Sequence, residues 1–191
     1  IGHVFKCVKF LSRHSFLKYL QKLFIICYLV FKLWKKQEPA DLVTGSKRVG
    51  GMGADSDELI YINEGFQTVS VPGTSVNLKV RFKVKPKQQT WSVAIKIEDG
   101  GIIETDDVYT YEAPRSGYKP VWQSRFKKGE KGYKSQIWRS FYLKANNGTI
   151  YGYLDRMSII PFVGKENGKK TAGLSWDYRI NPHGSRNLLG K

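Results

Sequence analysis

Six carboxylates, Glu98, Asp99, Glu104, Asp106, Asp107 and Glu112, crowd the stretch EDGGIIETDDVYTYE of this 191-residue chain. Carboxylates on one loop supply the hard oxygen ligands that Ca²⁺ takes, and Asp99, Asp106 and Asp107 are the candidate donors. The spacing matches no calcium-loop pattern, since Asp-x-Asp-x-Asp-Gly is absent. Two carboxylates flanking a glycosidic bond would serve a glycan hydrolase. The plainest role for such a stretch is a solvated acidic loop, or an internal partner for a basic strand face.

Nucleophilic chemistry has little to draw on. Apart from His3 and His14 near the start, the histidine is His183, in the turn-like Asn181-Pro-His-Gly-Ser185, where Ser185 is its neighbour by composition. Both cysteines, Cys7 and Cys27, precede residue 28, so thiol chemistry, a disulfide framework and a zinc site all lack residues.

Cations and rings interleave in Tyr118-Lys-Pro-Val-Trp122, Arg125-Phe-Lys-Lys128, Lys131-Gly-Tyr-Lys134 and Trp138-Arg139. Sugar faces stack on Trp and Tyr while Arg and Lys take up carboxylates, so Tyr118, Trp122, Arg125, Tyr133, Lys134 and Trp138 are the candidate ligand-binding residues. The same mixture suits single-stranded nucleic acid, whose bases stack on rings and whose phosphates meet cations. Lys79, Arg81, Lys83 and Lys85 add a stripe at strand spacing, about 7 Å apart. No phosphate-binding loop, dinucleotide fingerprint, RNA-recognition motif or nucleophile elbow occurs.

Elements of period two must carry these residues. Val76–Val84 alternates without a fault: Val76, Leu78, Val80, Phe82 and Val84 share one face, and the stripe shares the other. Trp91, Val93, Ile95 and Ile97 repeat the pattern. Further strands are expected at Leu59–Ile62, Gln67–Val71, Val108–Tyr111, Ile137–Leu143, Ile150–Leu154, Met157–Phe162 and Leu174–Ile180. Asn146-Asn147-Gly148 is a hairpin signal, because these residues tolerate the positive φ of a type I′ turn. Short strands at this density predict an all-β domain over 58–191. The expected form is an antiparallel sandwich of jelly-roll or immunoglobulin-like type, with a closed barrel as the alternative.

Residues 1–36 are a different object. Leu23–Phe31 is an apolar run of nine flanked by Lys22 and Lys32. Nine is short of the about 20 residues that span a bilayer, yet fits the core of an export signal. Lys-Leu-Trp-Lys-Lys then stands where a cleavage site would need small residues. An export signal, an uncleaved anchor contacting membrane through residues 16–34, a basic amphipathic helix and a non-native extension are the readings. Residues 37–57, rich in Gly, Pro and Ser around QEPADLVTGSKRVGGMG, read as a linker.

The formal net charge is +16, from 32 basic and 16 acidic residues. Residues 1–50 hold ten basic and two acidic residues and the remainder 22 and 14, so each part carries +8. Half of the excess therefore flanks the apolar run and says little about a ligand. The runs SFYLKANNGTIYGYLDRMSIIPF and YRINPHGSRNLL resemble the ends of small accessory β-sandwich domains in exported bacterial proteins. That resemblance covers about a quarter of the chain, implies a non-catalytic extracytoplasmic domain that binds glycan, and identifies no site residues. The expectation is a binding module, exported or membrane-tethered, contacting polysaccharide or another surface component. A basic nucleic-acid-associated protein and a glycan-active hydrolase are the alternatives.

Overall fold

The computed structural model describes residues 40–50, 58–107 and 111–190. The chain divides into two compact units, Ile1–Glu38 and Pro39–Lys191, and the described residues all belong to the second. The helix expected over 1–36, its membrane contact at 16–34 and all of the strand expected at Val108–Tyr111 but Tyr111 itself lie outside the described residues. Among the described residues no helix is long and apolar enough to cross a membrane.

Among the described residues ten strands make two antiparallel sheets. The larger orders β1 (Val43–Val49), β10 (Lys169–Asn181), β9 (Ile150–Glu166), β8 (Ile137–Ala145) and β6 (Gly101–Thr105), with β2 (Ile60–Tyr61) also on β10. The smaller orders β3 (Gln67–Ser70), β4 (Asn77–Lys85), β5 (Thr90–Ile97) and β7 (Trp122–Lys127). The inward residues of both sheets form one core. From the small sheet come Leu78, Val80 and Phe82 of β4 and Trp91, Val93, Ile95 and Ile97 of β5; from the large sheet come Phe141, Leu143, Leu154, Met157, Ile159 and Ile180. Trp122 meets Phe141 edge-on across the two sheets, ring centres 5.0 Å apart.

Alternation therefore placed β4 and β5 correctly, but three strands escaped it. Val43–Val49, inside the expected linker, pairs residue by residue with β10 from Val43↔Ile180 to Val49↔Leu174. Its inward positions are Val43, Gly45, Lys47 and Val49, and a glycine and a lysine among four hide the apolar rhythm. Lys47 is only 7% exposed and meets Glu58 at 3.0 Å. An inward lysine is a known device for blunting a sheet edge. At Gly45 a Cβ would lie 2.6 Å from the Tyr178 hydroxyl, which itself donates to the Pro72 carbonyl. β6 is short, and β7 looked like a cation–ring run because its outward Gln123 and Arg125 separate Trp122 from Phe126 and Lys127 follows.

The β8–β9 connection is the expected tight turn. Asn147 (φ 54°) and Gly148 (φ 90°) occupy its centre, and the Thr149 N–H donates to the Asn146 carbonyl. The two strands expected at Ile150–Leu154 and Met157–Phe162 are one strand with a bulge between them. β9 carries one extra residue against both neighbours: Arg139↔Met157 is followed by Phe141↔Leu154 on β8, and Ser158↔Ser175 by Asp155↔Asp177 on β10. Arg156 sits in that bulge at φ 42°, a left-handed conformation uncommon for a residue with a Cβ. Pro161 falls further along, past Ile159 where β8 has ended, so its missing N–H breaks no ladder on that side.

Candidate functional site

The fold scatters the six residues singled out for ligand contact. Trp122 is 8% exposed, and its indole N–H donates to Glu104 at 2.6 Å. It is a core residue, not a stacking surface. Tyr118 is half-buried, donates to the Pro114 carbonyl at 3.1 Å and packs edge-on against Tyr151. Burial, with Tyr151 beside it, pushes its phenol well above the ordinary range, against the opposing pull of Arg186. Both rings were expected to face ligand; Trp122 faces the core instead, and Tyr118 packs half-buried against a smaller apolar cluster. Tyr133 and Lys134 lie exposed in the loop after β7, where the Lys134 carbonyl accepts the Trp91 indole N–H. Arg125 is exposed on the outer face of the small sheet. Trp138, 58% exposed, stands on the outer face of the large sheet.

The acidic stretch is likewise divided. Glu98 pairs with Lys79, Glu104 with Arg139 at 2.6 Å, and Glu112 with Arg186. Asp99 occupies the β5–β6 turn, whereas Asp106 and Asp107 follow the other end of β6. Five strand residues span about 17 Å, so the three cannot share an ion. Among the described residues no group of three His, Cys, Asp or Glu gathers that could hold a metal. His183 is an exposed turn residue whose backbone N–H donates to Asn181.

Register assembles a different group. On the outer face of the large sheet, Trp138, Ser158, Ser175 and Arg48 form one row across β8, β9, β10 and β1. Asp155, Asp177 and Ser46 form the next, and Tyr142, Tyr153, Arg179 and Thr44 a third. Asp155 and Ser158 are three positions apart and would face opposite ways on an unbroken strand. The extra residue at the bulge turns both outward and adds the Arg156 side chain between them.

Two open cavities, of about 480 and 330 Å³, flank this ridge, and Trp138 and Arg156 line both. The larger is walled by Asp106, Asp107, Arg139, Tyr153, Asp155 and Arg179; the smaller by Ser46, Arg48, Ser158, Ser175 and Asp177. Arg156 reaches Asp155 at 3.6 Å and Asp177 at 3.9 Å. Ser46 donates to Asp177 at 2.7 Å, Ser140 donates to Asp155 at 3.3 Å, and the Arg179 guanidinium lies 5.2 Å from the Tyr153 ring centre. Burial raises the Tyr142 and Tyr153 phenols, with Ser140's hydrogen bond partly opposing this at Tyr153. Segments 111–118 and 186–189 hold each other through Ala113–Arg186 and Leu188–Tyr111 backbone bonds. With Tyr142, Tyr151 and Tyr153 they form a second apolar cluster at that end of the face.

Four arginines and four aspartates thus alternate around an exposed indole, with serine hydroxyls between them. Lys47 also lines the smaller cavity but is paired with Glu58, so the charges facing the indole come close to balance, and the groups both donate and accept. Sequence reasoning found Trp138 with Arg139, Asp106 and Asp107, and missed Ser46, Arg48, Asp155, Arg156, Asp177 and Arg179. The signal was the charged pair Asp155-Arg156 between Leu154 and Met157, which breaks an apolar alternation without any Gly or Pro to end the strand. No protein-family model, curated protein or solved structure matches the chain.

Proposed function

We propose that the unit is a β-sandwich, of the jelly-roll or immunoglobulin-like kind, acting as a non-catalytic module that binds a neutral polysaccharide across the outer face of its large sheet. One observation carries this reading: the charge-balanced setting of Trp138. A flat indole packs on the C–H face of a sugar ring. Carboxylates accept from hydroxyls and guanidinium groups donate to them, so alternating Asp and Arg suit a polyol better than a net anion. Placement in an exported or membrane-tethered protein rests on the basic, apolar segment before residue 36 and belongs to the same proposal.

Affinity electrophoresis against soluble neutral glycans (β-glucan, xyloglucan, xylan and mannan) tests it. Retention by at least one is expected, nearly constant between about 50 and 200 mM salt because no counterions are released. Trp138→Ala should abolish retention while leaving the thermal midpoint unchanged. Retention of none of these glycans, or full retention by the alanine variant, would refute the reading.

A further inference from the structure

The outer face of the small sheet differs from the Trp138 face in one respect: its charges do not balance. Arg81, Lys83 and Lys85 project from β4, Lys96 from β5, and Arg125 and Lys127 from β7. Lys79 is engaged by Glu98, and Lys127 lies 3.4 Å from Glu130. Arg81, Lys83, Lys85, Lys96 and Arg125 have no acidic partner among the described residues.

Register arranges all of these but Lys96 as two rails; Lys96, on the central strand, stands opposite Lys79 and outside the two rows that form the groove. Lys83, Ser92 and Arg125 lie in one cross-strand row, and Arg81, Ala94 and Gln123 in the next. The central strand therefore contributes small residues where its neighbours contribute long ones. The result is a groove of about 350 Å³ walled by Arg81 and Lys83 on one side and Gln123 and Arg125 on the other. Strands stand about 4.8 Å apart, so the rails are separated by about 10 Å, with cations about 7 Å apart along each.

We propose that this groove binds a linear polysaccharide bearing carboxylates, independently of the Trp138 face. Three features favour that ligand over nucleic acid. A gap of two strand spacings admits one extended chain, not a duplex. Single-stranded nucleic acid is held by bases stacked on free rings. Among the described residues the ring placed on this face is Phe66, which is capped by Arg81 at 4.5 Å and Lys96 at 4.9 Å. Ser92 and Gln123 offer hydroxyl and amide groups for sugar hydroxyls, and the planar Arg125 fork matches a carboxylate.

Binding of the full chain to polygalacturonate at several salt concentrations tests the proposal, with a single-stranded oligonucleotide and a DNA duplex measured alongside. The double variant Lys83→Gln/Arg125→Gln should lose about tenfold in affinity, and its log–log salt slope should fall by about two. Glu98→Gln, which releases Lys79 into the face, should tighten binding and steepen the slope by about one, a gain that misfolding cannot mimic. Trp138→Ala should bind polygalacturonate as the parent does, so this inference and the neutral-glycan reading can fail separately. An unchanged double variant overturns the proposal. So does tighter binding of either nucleic acid that the same double variant abolishes, since the groove would then be a nucleic-acid site.

Discussion

Ring size does not decide which aromatic residue meets a ligand; the direction in which its strand position faces does. Trp122 and Trp138 both stand beside cations in sequence, yet one faces Phe141 in the core and the other faces solvent. The same selection sets the acid–base behaviour of the tyrosines. Burial raises the phenols of Tyr118, Tyr142, Tyr153 and Tyr178 above their ordinary value of 10.0. In the unfolded chain these groups lose their protons near that value, whereas the folded chain still holds them. The unfolded state therefore binds fewer protons, and stability falls as pH rises above about 10. Urea unfolding followed from about pH 8 to about pH 11 should show this loss, and Tyr118→Phe should reduce its steepness.

At the scale of elements, the bulge in β9 makes the sharpest prediction. Removing Arg156 restores strict alternation through Leu154, Asp155, Met157 and Ser158. Both ladders then run through this point without a shift, because β8 and β10 slip by the same single residue there, and the separate irregularity between Thr171 and Gly173 is untouched. A deletion in a central strand normally turns half of it inside out. Here the variant lacking Arg156 should fold with unchanged core and equal or greater stability, since a left-handed non-glycine residue costs about 1–2 kcal/mol. It should nevertheless lose neutral-glycan retention, as the guanidinium between Asp155 and Asp177 is gone. Thermal unfolding and affinity electrophoresis of the one variant check both halves.

That bulge also marks where the sequence was legible. Val76–Val84 and Trp91–Ile97 could be read because every inward residue is apolar. Val43–Val49 could not, because Gly45 leaves room for Tyr178 and Lys47 turns inward to Glu58. Of the candidate site, Trp138 was visible as a residue type. Its partners Arg48, Asp177 and Arg179 come from strands far apart in sequence, and register, a property of pairing, brings them together.

For the sandwich unit as a whole, a main core shared by both sheets implies a single unfolding event. Phe82 of the small sheet and Phe141 of the large one are both fully buried in that core. Alanine at either position should cost about 3–5 kcal/mol. Denaturant unfolding followed by intrinsic fluorescence and by far-UV circular dichroism should give one coincident transition in each case. Separate transitions for the two probes would show that the sheets fold apart.

The pairing of β1 with β10 bears on biosynthesis. Ser46 and Asp177 meet across 131 residues of chain, so β1 leaves the ribosome long before its partner exists. At about 5–20 residues per second the wait lasts several seconds or more. A strand of valines and isoleucines idle for that time would seek another edge. Val-Thr-Gly-Ser-Lys-Arg-Val is poorly suited to do so: it has a charge on each face and a glycine in place of an apolar side chain. The features that concealed β1 from pattern reading also keep it from premature partners until β10 arrives to close the sheet.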